Sequence, residues 1–289
     1  MYRFILFMIA FLSPFFVFGE EAQVQPAQPA QSPPEFVVMI PSYNNGKNNQ
    51  NRCIACLESV ICQTYPHYSV IYVEDCSTDD TAALVDKFVA DHHVENKFTV
   101  IHNKERKGSL RNVYETIHSI APEKIVVDLD GDDALAHDKV LERLAEVFAD
   151  KNIWLSFGNV TCWPSKWTGP TEPVPQELIT KNKMRSYRDI WLPVRTFYAK
   201  LFHQIKKEDL LQKDGNFYVA GGDMAFMAAM LDMASQGHFK KLSEVLYIYY
   251  VDNPLRDARI NYTLQRDSTR EIRKKPPCTP LKTLFPEVS

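Results

Sequence analysis

Glycine is scarce in this chain, 10 residues in 289, and none of them builds a loop that cradles phosphates. A dinucleotide-binding sheet would follow its first strand with G-x-G-x-x-G, where this chain reads Pro41-Ser42-Tyr43-Asn44-Asn45-Gly46. A Walker A lysine loop is absent too. Charge of one sign is also lacking: 33 basic and 36 acidic side chains leave a formal −3. The basic clusters at Lys104–Lys107 and Arg270–Lys275 are short and carry no interleaved aromatics, so no nucleic-acid polymer is expected as a partner. No apolar run is long enough for a standard membrane-spanning helix; the one after Arg3 holds about fifteen residues and is interrupted by Pro14. The six cysteines include Cys53-x-x-Cys56, but no second C-x-x-C or His pair completes a zinc set. Three of them fall at apolar positions of one predicted helix, where a thiol packs as a small hydrophobe, although export would also permit disulfides.

What is present is ordinary globular composition, 45% apolar and 24% charged, with length enough for a sizeable core in one large domain. Residues 1–19 pair a charged start with an apolar stretch and a small-residue exit at Val17-x-Gly19. They read as a cleaved signal peptide first, and second as a short uncleaved anchor that would bring the chain close to a membrane. An exported or secretory-lumenal protein is the corresponding expectation. Residues 20–34, rich in Pro, Gln and Ala, form a linker without core-forming side chains.

From Phe36 the pattern becomes regular. Phe36–Ile40 is an apolar strand stopped by Pro41, and Asn51–Gln63 repeats apolar residues at helical spacing. Strand Tyr68–Val73 ends at Glu74-Asp75, and cap-type residues 77–80 introduce helix Thr81–Ala90. Strand Phe98–Ile101, helix Leu110–Ile120, strand Lys124–Asp128, helix Asp138–Ala149 and strand Ile153–Phe157 follow. Such alternation predicts an α/β fold, a mostly parallel sheet with helices on both faces, whose ligands gather at the carboxyl ends of the strands. From about Asn159 to Lys200 the pattern dissolves into a Pro-rich stretch. Its aromatic residues serve either as platforms for sugar faces or as core under a long loop. Helical spacing returns at Met224–Met233 and a strand at Val245–Tyr250, and residues 256–289 read as a loosely packed arm.

Ile125-Val-Val-Asp-Leu-Asp-Gly-Asp-Asp133 is the most informative stretch. Extended alternation would send Asp128, Asp130 and Asp132 to one side, where their repulsion is tolerable beside a cation or in water. Paired acids at a strand end suit Mg²⁺ or Mn²⁺ with positions left for phosphate oxygens. An EF-hand is excluded, because the sixth and twelfth residues from Asp128 are Asp133 and Lys139 rather than Gly and Glu.

Several ordered motifs then resemble the family 2 glycosyltransferases of GT-A fold: Val37–Asn45, Leu57–Pro66, Val73–Thr81, Arg111-Asn112 and Leu129–Asp133. The resemblance runs from about Phe36 to Val140. It implies a GT-A type, Rossmann-like domain over residues 35–255, with an irregular acceptor-side region toward the C-terminus. It further implies that Pro41 and Tyr43 pack on the nucleoside and that Asp75 contacts the base, with Glu74 and Cys76 standing where the family has Asp and Gly. Asp132 is implied as the direct metal ligand and Asp130 as facing metal and ribose, with Asp128 structural behind them. Arg106 or Lys107 is placed to reach the diphosphate. Asp223, after Gly221-Gly222 at a helix start, matches the family's general base, although Gly222 replaces the usual Glu. Asp214 and Asp232 are competing acids that do not follow a glycine turn.

The leading expectation is metal-assisted transfer, with inversion, of a sugar from a nucleotide diphosphate sugar, a UDP-sugar in first place, to a glycan, lipid or protein hydroxyl. Two alternatives stay open. A nucleotidyltransferase shares the sheet and acidic site, and an exported, inactive carbohydrate-binding protein would use the same scaffold.

Overall fold

The computed structural model describes residues 32–286; the expected leader and nearly all of the linker lie outside them. In chain order the first half holds β1 (Phe36–Ser42), α1 (Arg52–Ile61), β2 (Tyr68–Glu74), α2 (Thr81–Asp91), β3 (Phe98–His102), α3 (Ser109–Ile117), β4 (Ile125–Asp128), β5 (Ala134–Leu135) and α4 (Val140–Phe148). The second half holds β6 (Leu155–Trp163), α5 (Gln176–Thr180), β7 (Arg195–Tyr198), α6 (Ala199–His203), α7 (Gly222–Met233), β8 (Phe239–Tyr250), α8 (Asp257–Ile260) and α9 (Tyr262–Lys274). The strands form one sheet in the order β3-β2-β1-β4-β7-β6-β8-β5. The β3-β2-β1-β4 block is parallel, β7 runs against both β4 and β6, and β8 lies parallel to β6. The mostly parallel α/β architecture expected from the alternation of elements is the one observed.

β1 and β4 are buried at every position, which is why both read as unbroken apolar runs rather than alternating ones. Pro41 does not stop β1, which continues to Ser42 opposite Glu74 of β2. The Pro41 carbonyl faces the β4 side, accepting from Gly131 N–H. Its missing N–H therefore also falls on that side, beyond the last β4 pairing at Asp128, and costs the ladder little. The order reverses between β1 and β4, so their carboxyl ends form the crevice in which sheets of this kind bind ligands.

Beyond Asn159 the structure is more regular than the expectation. β6 extends to Trp163 and β7 lies inside the Pro-rich stretch. Of the aromatics there, Tyr187, Phe197 and Tyr198 are core, while Trp163 and Trp167 are about half exposed. The arm expected to be loose is instead helical and docked. Arg273 donates to the carbonyls of Arg185, Tyr187 and Arg188, and Lys275 to those of Glu208, Asp209 and Leu211. Ile272 and Leu284 are buried as well, but apolar anchors this sparse, beside cations docked onto carbonyls, leave little periodicity to read. Cys53 and Cys56 are buried on α1, Cys62 is exposed beyond its end, and all six thiols are free. Among the described residues no helix is long and apolar enough to cross a membrane.

Candidate active site

The carboxyl ends of β1 and β4 open into a pocket of about 450 Å³ whose lining includes Pro41, Tyr43, Arg106, Asp130, Asp132 and Asp223. β4 ends at Asp128, so strict alternation does not continue through the acids; the chain turns at Leu129-Asp130-Gly131. Gly131 is required there, because a Cβ would lie 2.6 Å from that of Ser42. The turn gives each acid its own environment. Asp133, expected only as part of the cluster, is buried and accepts from Tyr247 Oη at 2.9 Å and from Tyr250 N–H at 2.8 Å. Burial, with Asp132 and Asp130 nearby, holds its pKa well above the ordinary range. Asp132 accepts from Asn253 Nδ2, and burial together with Asp130 lifts its carboxyl to about 6.

Arg195 organises these acids, and sequence reasoning missed it. Arg195 stands directly opposite Asp128 in the β4–β7 ladder. It is buried, donating from Nε to Asp128 at 2.7 Å, from Nη2 to Asp130 at 2.8 Å and from Nη1 to the Trp191 carbonyl at 3.1 Å. Its Nη1 also stands 3.6 Å from Asp223 Oδ2. Burial alone would favour the neutral guanidinium, but three carboxylates more than offset it and its pKa is raised. The signal that could have found Arg195 is that it is the single charged residue within the otherwise uncharged run Ile190–Ala199.

Asp223 is the second residue of α7, as a residue opening a helix should be, and its Oδ1 accepts from the Met224 N–H at 2.8 Å. The turn into α7 is made by Gly221 at φ +77°. Gly222 stands where the family carries Glu because α3 approaches closely: a Cβ there would sit 2.9 Å from Leu110 Cβ. Of the competing acids, Asp232 is buried against Arg185 at 2.6 Å, and Asp214 accepts from the Asn216 N–H. Neither lines the pocket.

Asp75 takes a place different from the expected base contact. It is buried, and its oxygens accept from Lys107 N–H, Gly108 N–H and Asn103 Nδ2, each at 2.8 Å. It therefore folds the 103–108 loop instead of lining the pocket. That loop carries Arg106 over the Tyr43 ring, 3.9 Å from its centroid, while Lys107 turns away to Glu115. Cys76, in the place of the family's glycine, adopts the left-handed φ of +59° that the turn demands. At the start of α2, Asp80 does not cap its own helix; it accepts from Lys47 N–H instead.

Among the described residues no three His, Cys, Asp or Glu side chains converge as a ready metal cage. A hard cation nonetheless fits at Asp132 with Asp130 beside it. Burial and mutual repulsion penalise the charged form of Asp132, and a cation completed by phosphate oxygens would relieve that penalty.

The mostly parallel sheet with an acidic turn at its switch point is of GT-A type, the fold its neighbours among solved structures share. The chain belongs to glycosyl transferase family 2, whose sequence profile matches residues 37–211, more than half of its length. It is similar to the glycosyltransferase GlyG of Streptococcus pneumoniae, 29% identical over 122 residues, 42% of this chain and 38% of that protein. The putative teichuronic acid biosynthesis glycosyltransferase TuaG of Bacillus subtilis is 28% identical over 124 residues, 43% and 46% of the two chains. The chain thus spans less than half the length of these curated relatives. Among solved structures, residues 1–349 of S. aureus TarS with UDP superpose with a TM-score of 0.55 at 19% identity, covering 75% of this chain and 60% of that one. The mannosyltransferase PcManGT from Pyrobaculum calidifontis, with GDP-Man and Mn²⁺, gives 0.55 at 17% identity, covering 84% and 63%. These two likenesses are of fold.

Proposed function

We propose that the protein transfers a sugar from a nucleotide diphosphate sugar, a UDP-sugar in first place, to an acceptor hydroxyl with inversion, assisted by Mn²⁺ or Mg²⁺. The observation that carries this reading is convergence: Pro41, Tyr43, Arg106, Asp130, Asp132 and Asp223, far apart in sequence, line one pocket at the switch point. Support also comes from the complexes of the fold neighbours, TarS with UDP-GlcNAc and PcManGT with GDP-Man.

Pro41 and Tyr43 offer the nucleoside a wall, with Arg106 stacked on the tyrosine and able to swing toward a diphosphate. Asp132, with Asp130 beside it, would hold the cation, which when bound supplies positive charge for the departing diphosphate. Asp223 is the general base. It sits in the first turn of α7 with Arg195 near, so the helix dipole and the guanidinium both offset its charge. Its carboxylate takes the acceptor hydroxyl proton as that oxygen attacks C1, the diphosphate leaving from the opposite face. Asp75 positions the Arg106 loop. Export through residues 1–19, with a glycan, lipid or protein acceptor outside the cytoplasm, belongs to the same proposal.

The test is a panel of UDP- and GDP-sugars with Mn²⁺ and a mixed set of hydroxyl acceptors, read for nucleotide release and for the anomeric configuration of product by NMR. Metal-dependent release with inverted product is expected. Pyrophosphate release would point to nucleotidyl transfer, and binding of glycans without turnover of any donor would favour an inactive binding protein. N-terminal sequencing of protein recovered from producing cells tests cleavage after Gly19.

A further inference from the structure

Arg195 has a bland explanation and a sharper one. The bland one is that it neutralises Asp128, since two buried charges in register on neighbouring strands need one another. That requires a single contact, and Nε already makes it. The remaining geometry is not needed for that purpose. With Nε fixed on Asp128 and Nη1 on the Trp191 carbonyl, the planar fork has no freedom left. It then holds Asp130 at 2.8 Å on Nη2 and faces Asp223 at 3.6 Å from Nη1. These two acids come from the turn after β4 and from the start of α7, and one of them serves the donor while the other serves the acceptor.

We propose that Arg195 is a positioning residue that couples donor binding to placement of the base, because its single guanidinium is shared between Asp130 and Asp223. The inference rests on the donor and base roles assigned above. With no donor bound, Asp130 has the closer hold on Arg195 and Asp223 the looser. A donor that draws on the Asp130 carboxylate weakens that hold, and the guanidinium's attraction is then exerted on Asp223, steadying it for the acceptor. A lysine in this position would supply a point charge to Asp128 but could not span the other two.

The experiment compares Arg195→Lys, Asp223→Asn and the double variant for turnover per folded molecule and for UDP affinity in Mn²⁺. Arg195→Lys is expected to lower kcat by about 10- to 100-fold while UDP binds no more weakly than to wild type. The double variant should be no slower than Asp223→Asn alone, because without the base there is nothing left for Arg195 to position. A purely structural arginine would instead lower the melting temperature and leave turnover per folded molecule unchanged, whereas an arginine that acts independently of the base would make the double variant slower than Asp223→Asn by its own full factor; either result overturns the coupling. Should Arg195→Lys fail to fold, affinity alone decides. Asp223→Asn leaves Arg195 more firmly on Asp130 and should weaken UDP by about threefold, an effect that disappears in an Asp130→Asn background. An unchanged UDP affinity there refutes the sharing. A wild-type protein that binds no nucleotide overturns the donor reading itself, and the coupling with it.

Discussion

Replacing Asp132 by Asn should stabilise the protein in chelator and remove its stabilisation by Mn²⁺. Burial, reinforced by Asp130, lifts the Asp132 carboxyl from an ordinary 3.8 to about 6. A carboxyl lifted that far carries at most about 3 kcal/mol of penalty on its charged form. The side chain lines an open pocket and is partly exposed, so about 1–2 kcal/mol is the realistic share. The sign follows from linkage. Below about pH 4 the acid is protonated whether folded or unfolded, and wild type and variant differ little. As pH rises from about 4 to about 6 the unfolded chain ionises first, so wild type loses stability relative to the Asn variant; above that the deficit is constant. Melting curves in EDTA at pH 4, 5, 6 and 7.5 should show the variant's advantage growing to about 2–8 °C and then levelling. With Mn²⁺ the order should reverse, because only the wild type gains a ligand for the cation. A variant no more stable than wild type at pH 7.5 in EDTA, or one that Mn²⁺ stabilises as strongly, would show that Asp132 is not the uncompensated charge of this pocket.

Three further outcomes follow from contacts in the site. Asp223→Asn should reduce turnover by about 10²–10⁴ while UDP affinity stays within about fivefold, since an amide cannot take the acceptor proton; near-normal turnover in a steady-state assay would remove Asp223 from catalysis. Asp75→Ala leaves the half-buried N–H groups of Lys107 and Gly108 without their acceptor, which should cost about 1–2 kcal/mol in urea unfolding. If its role is to hold the Arg106 loop, calorimetry will find UDP and inorganic diphosphate weakened alike, whereas a loss confined to UDP would restore the base contact. Gly222→Ala gains up to about 1 kcal/mol of helix propensity but drives a Cβ against Leu110, for a net loss of about 1–2 kcal/mol. The loss should shrink in a Leu110→Ala background, and an equal loss in both would acquit that contact.

The donor half of the molecule was readable because its parts are local. β1 and β4 are apolar runs of four to seven residues that end in polar turns, and the parallel order of β3-β2-β1-β4 follows from the helices between them. The acids of the β4 turn announced a charged site, and all but one of the expected site residues line the same pocket. Asp75 is the exception. A strand-end carboxylate reads the same whether it faces a ligand or binds a loop's N–H groups, and only the path of residues 103–108 decides. The acceptor half was readable only in part: α7 and the end of β8 were expected, but β7 is four residues long and antiparallel to its neighbours, so no crossover helix frames it and Arg195 at its head went unread.

Gly222 and Arg195 show what a motif match leaves out. Taken as a departure from the family's Glu-Asp pair, Gly222 weakens the case for Asp223. Its surroundings reverse that inference, because α3 lies so close that any side chain at 222 would press on Leu110, so glycine is what lets α7 begin there with Asp223 as its next residue. Arg195 supplies the complement. An acidic pocket holding Asp128, Asp130, Asp132, Asp133 and Asp223 cannot be assembled without countercharge, and the fold provides it from the strand next to β4, at the one register position where a guanidinium reaches three of the five. The motif names the carboxylates, but the sheet register is what makes them compatible in one pocket, and it puts the donor's acid and the acceptor's base on the same guanidinium.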